Sequence, residues 1–105
     1  MHMGAPPQLT AHERSAALAK AKESRQIRSA TKIKIKSGEL SLSDVFTLAE
    51  TDSVIAKMRV SDLLAALSGV GKIRATAIME RLNISPTRRI QGLGKHQIRA
   101  LRNEF

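Results

Sequence analysis

The sequence predicts an all-α fold, and three observations carry that prediction. Between Thr10 and Gly38 neither glycine nor proline interrupts a run made mostly of Ala, Lys, Arg, Glu and Gln, all good helix formers. Ala75, Ile78, Met79 and Leu82 recur at i, i+3, i+4 and i+7, the spacing of one helix face. The one stretch that alternates with period two, Lys32-Ile33-Lys34-Ile35-Lys36, would have no partner strand and reads as the end of a helix.

Residues 1–9 form an expected flexible lead-in, because Pro6 and Pro7 disfavour helix in the residues before them. Thr10 and Glu13 have capping-box spacing, so a long basic helix is expected over 10–37 with Gly38 as its stop. Its large apolar residues are nearly all accounted for by Leu18, Ile27, Ile33 and Ile35, so its N-terminal part is expected to project from the body. Ser41 and Asp44 open the next segment, with Leu42, Val45, Phe46, Leu48 and Ala49 as its apolar face. Asp52 or Ser53 caps a shorter turn holding Val54, Ile55 and Met58, and Ser61 precedes a short helix from Asp62 to Leu67. The helix Lys72–Leu82 follows and ends at Asn83. Ser85 is then expected to cap a further turn with Pro86 at its first helical position. Gly92-Leu93-Gly94 breaks the chain before a last helix, Lys95 to about Glu104, with Ile98, Leu101 and Phe105 on one side. Both phenylalanines, Phe46 and Phe105, are expected in the core.

The chain of 105 residues carries 18 Lys+Arg against 9 Asp+Glu, a net charge of +9 that attracts polyanions. Basic residues gather at two ends, Arg14 to Lys36 and Lys72 to Arg102, around a mildly acidic middle. Cysteine is absent, which excludes disulfides, thiolate nucleophiles and cysteine-based zinc sites. No apolar run reaches the ~20 residues of a membrane span. The expected location is the cytoplasm.

Two glycine-hinged basic turns carry the chemistry: Leu67-Ser68-Gly69-Val70-Gly71-Lys72-Ile73-Arg74, and Arg88-Arg89-Ile90-Gln91-Gly92-Leu93-Gly94-Lys95. Each leads into a helix, whose free N–H groups and partial positive charge suit a phosphate. A nucleotide P-loop is excluded, because it needs glycine where this chain has Ala66 and Ser or Thr where it has Ile73. Gly92 and Gly94 lack the third glycine and the strand of a dinucleotide fold. His2, His12 and His96 have no metal-site spacing, and no Ser-His-Asp grouping is evident. No catalytic residue, metal or cofactor is expected. With two Phe and neither Tyr nor Trp, the chain lacks stacking platforms for single strands, which favours a duplex held by its phosphates.

The run from Lys57 to Arg74, with Ile78-Met79-Glu80-Arg81-Leu82 and Thr87-Arg88-Arg89-Ile90-Gln91-Gly92-Leu93-Gly94, resembles the actinobacterial integration host factor family. The likeness extends from Pro7 through Phe105. It implies a helix-two-turn-helix domain over 38–105, similar to a small-subunit ribosomal protein, behind the long N-terminal helix. It also implies a monomeric, nucleoid-associated protein that binds double-stranded DNA with little sequence preference. Some relatives affect supercoiling or assist phage integration, so a phage integrase is a further expected partner. The family's turn contacts map onto Ser68, Gly69, Val70, Gly71, Lys72 and Arg74, and its lid contacts onto Arg88, Arg89, Gly92, Leu93, Gly94 and Lys95. A second surface maps onto Arg25, Arg28 and Lys32. Two other functions remain open: an RNA-binding ribosomal or assembly factor of the same architecture, and, more remotely, a fragment of a DNA-lesion glycosylase, for which the N-terminal nucleophile and catalytic domain are missing.

Overall fold

A computed structural model describes residues 10–105, and the expected flexible lead-in at 1–9 lies outside them. In chain order the elements are α1 (Ala11–Lys36), α2 (Leu42–Ala49), α3 (Ser53–Ala56), α4 (Val60–Ala66), α5 (Gly71–Arg81), a 3-10 turn (Ile90–Gly92) and α6 (Lys95–Glu104). The fold is all-α. Among the described residues the only extended pairing is one isolated antiparallel bridge between Arg59 and Arg89.

The local signals for α1 act at both ends, with one of the two capping-box bonds formed at its start. The Thr10 hydroxyl accepts the Glu13 N–H at 3.1 Å. Gly38, at φ +84°, lets the chain turn back so that the Gly38 and Leu40 N–H groups close onto the Ile35 and Lys34 carbonyls. The alternating run at its end is helical because Thr31 and Ile35, one turn apart, both face the core, which leaves Ile33 outside and 69% exposed. Thr31 satisfies its buried hydroxyl on the Ile27 carbonyl at 2.7 Å. Every described residue before Ser24 is exposed, so the first half of α1 projects from the body. This projection stretches the molecule to 55 × 32 × 25 Å, with a radius of gyration of 17.0 Å. A compact chain of this length would have about 13 Å.

The core sits where α4 packs on α5, α2 packs on α3, and the base of α1 crosses α3 and α4. Ile35, Val45, Val60, Leu63, Leu64 and Leu101 are its most deeply buried side chains. Each buried aliphatic side chain contributes about 1.5–3 kcal/mol. α2 begins with a complete capping box: Ser41 Oγ accepts the Asp44 N–H, and the Asp44 carboxylate accepts the Ser41 N–H. Those bonds, the backbone one first, hold the Asp44 carboxyl below the usual carboxylate range. Asp52 caps α3 by accepting the Val54 and Ile55 N–H groups.

Four local expectations are corrected by the tertiary structure. α4 starts at Val60, with Arg59 and not Ser61 at its cap, because the Val60 N–H is taken by the Arg88 carbonyl at 2.9 Å. Ser85-Pro86 opens no helix: one turn closes from the Arg88 N–H to the Ser85 carbonyl, and the chain then extends so that the Ile90 N–H reaches the Met58 carbonyl. Phe105 is 46% exposed, whereas Phe46 is buried at 7%, with the Arg102 guanidinium 5.8 Å above its ring. One aromatic side chain therefore serves the core where two were expected. Leu48, expected on the apolar face of α2, is 37% exposed.

Candidate nucleic-acid interface

The first glycine turn is built by backbone geometry. α4 ends as Leu67 turns extended, and its carbonyl accepts the Val70 N–H at 3.1 Å. Gly69, third in that turn, has φ +79°, the type II conformation that demands glycine, and Gly71 follows at φ +71°. A Cβ built on either glycine would meet no atom within 4 Å. The requirement is therefore conformational, and the space in front of the turn is open to a ligand. No side chain caps α5 and no acidic residue sits in its first turn, so its leading amides and dipole face outward beside exposed Lys72, Ile73 and Arg74. Ser68, Gly69, Val70 and Gly71 line one shallow depression. Lys36, from the end of α1, lines it with them and is absent from the candidates read from sequence.

The second turn is anchored to the body. The Arg59–Arg89 bridge staples it to the junction of α3 and α4. Arg89 also donates to the Lys57 carbonyl, and Arg88 donates to the Gly92 carbonyl at 3.1 Å. Each guanidinium has five N–H donors, so both exposed arginines keep most of their hydrogen-bonding capacity for a ligand. With Gly92 they line a second depression, together with Ser85, Thr87 and Gln91. Leu93 is different: it is half-buried against the core. The Gly94 N–H donates to Gln97 Oε1, and Gln97 Nε2 donates to the Asn83 carbonyl. Gln97 thereby ties the start of α6 to the end of α5. Lys95 stands exposed at that start.

At Gly92 a Cβ would lie 3.1 Å from Arg88 Cδ. Gly92→Ala is therefore expected to displace the Arg88 side chain, weakening polyanion binding several-fold while stability changes by only about 0.5 kcal/mol. Equal affinity for the two proteins in a fluorescence-anisotropy titration would contradict this.

Arg81 pairs with Glu104, joining α5 to α6, and its hydrogen bond holds the Glu104 carboxyl below the usual range. A folded-state pKa below the unfolded one stabilises the fold above the unfolded value, and that stability is lost as pH falls through the folded value. Glu104→Gln should accordingly narrow the difference between melting temperatures measured at pH 7 and pH 3. An unchanged difference would remove this pair from the acid response.

The three candidates for a second surface separate. Arg25 lies with Lys22 and Gln26 along α1, whereas Lys32 lines a depression with Lys36 and Lys72. Arg28 is half-buried and lines neither.

α4, the turn and α5 lie within residues 35–105, which match the family model described as S13-like H2TH domain, so the chain is of the helix-two-turn-helix class. The chain is 50% identical to the "Integration host factor" of Mycolicibacterium smegmatis, with 94% of each chain covered. It is 48% identical to that of Streptomyces coelicolor, covering 98% of this chain and 95% of the relative. The solved "Structure of sIHF bound to an 8bp palindromic DNA" is similar at a TM-score of 0.81 and 47% identity, covering 83% of this chain and 98% of that one. The chain belongs to the actinobacterial integration host factor family.

Proposed function

We propose that this chain is a non-enzymatic, nucleoid-associated protein of the cytoplasm that binds double-stranded DNA by its sugar-phosphate backbone, with little sequence preference. The observation that carries this is the uncapped start of α5 behind Gly69 and Gly71, open to solvent and flanked by Lys72 and Arg74. It is supported by the likeness to a protein solved bound to DNA. Phosphates contacted by both turns on one rigid body would fix a duplex in orientation without reading its bases. As a monomer gripping DNA in this way, the protein bends or compacts the duplex and alters its supercoiling, and it assists phage integration alongside an integrase.

If Lys72, Arg74, Arg88, Arg89 and Lys95 cover about 4–5 phosphates, log K falls with log salt at a slope near −4. A salt-independent affinity would sink the proposal. The S13-like character of the domain supports one competing reading, an RNA-binding ribosomal or assembly factor. Competition between duplex DNA and structured RNA at fixed salt separates the two. Preferential retention of RNA would favour the second.

A further inference from the structure

We propose that the groove between the base of α1 and the end of α4 is the track by which one DNA strand leaves the glycine turn, with Lys36 and Lys32 each taking a further phosphate. The inference rests on the duplex-binding function proposed above and extends its site onto α1. Two depressions adjoin there and share Lys36, Ala65 and Ala66. One runs to the Gly69–Gly71 turn; the other runs past Lys32 to Lys72. Their shared lining places the two depressions side by side, the one at the glycine turn reaching the open amides of α5.

Its chemistry matches a sugar-phosphate strand. The floor is apolar and shallow, made by half-buried Ala65 and Ala66 with the exposed Ile33 side chain, a surface on which deoxyribose can lie. The walls carry three ammonium groups. Lys32 and Lys36 stand one helical turn apart, about 6 Å along the axis, so two flexible side chains can serve neighbouring phosphates of one strand. Lys72 faces them from the start of α5. The single carboxylate in the groove, Asp62, repels a further phosphate and marks where the track ends. An acidic peptide could meet the same lysines. Continuity with the amide-lined turn favours the ligand already held there.

The test compares two lysines of the same helix with the same charge. Lys34 is exposed and lies about 200° around α1 from Lys36, on the outer side. Equilibrium binding to a linear duplex is measured over a range of salt for the unaltered chain, Lys36→Ala and Lys34→Ala, with melting curves to verify the fold. Lys36→Ala is expected to make the slope of log K against log salt shallower by about 0.9, the contribution of one phosphate, and Lys34→Ala to leave it unchanged. Equal changes in both variants would overturn the track in favour of diffuse charge, and no change in Lys36→Ala would overturn it as well. In either case binding by the unaltered chain would leave the duplex-binding function standing. If the unaltered chain shows no binding at all, that function falls and the track with it.

Discussion

Replacing Arg88 and Arg89 together by alanine is expected to weaken duplex binding about 30-fold at 0.15 M salt, because each phosphate contact contributes about 0.7 log units there. The loss should fall on all sequences alike and make the salt slope shallower by about 2, since phosphate contacts carry no base information. Loss confined to one sequence would instead indicate base readout. The structure adds a second consequence. Both arginines hold backbone carbonyls, Arg89 that of Lys57 and Arg88 that of Gly92, so alanine also releases the lid from its anchors. The double change to lysine separates the two roles. An ammonium keeps the charge but lacks the planar fork that can hold a carbonyl and a phosphate at once. Lysine should therefore restore the salt slope and recover only part of the affinity.

Gly71→Val is expected to damage both fold and binding. At φ +71° a β-branched side chain is a conformational outlier, and even an unbranched one costs about 1–2 kcal/mol. For a domain of this size that lowers the melting temperature by roughly 5–10 °C. Relaxing the strain rotates the peptide units that aim the first amides of α5 outward, so affinity should fall by more than the loss of folded protein explains. A Cβ at this position meets no atom within 4 Å, so the strain at the first side-chain carbon is conformational. A variant that melts and binds like the parent would show that the left-handed turn is dispensable.

The helices were legible because their signals are local. Capping at Thr10, Ser41 and Asp52, left-handed stops at Gly38 and Asn83, and the face of Ala75, Ile78 and Met79 each involve residues within a few positions of one another. Two of the failures share one cause. Ser61 lost its capping role, and Ser85-Pro86 its helix, because residues 58–60 pair with residues 88–90, some thirty positions away. The link from Gln97 to the Asn83 carbonyl likewise spans fourteen positions and has no local signal.

By itself, then, the sequence determined the all-α class, the long basic helix with its projecting N-terminal half, and the two glycine turns with their cations. Helix propensity, caps and positive-φ glycines act over one or two turns of chain, and net charge needs no fold at all. Only the tertiary structure decided how those parts form a surface. Packing α1 across α4 brings Lys36 to Gly69 and Lys32 to Lys72, and the Arg59–Arg89 bridge fixes the second turn to the body. Such juxtapositions depend on which buried faces meet, and core side chains such as Ile35 and Leu64 set that meeting through complementary shape rather than through any local pattern.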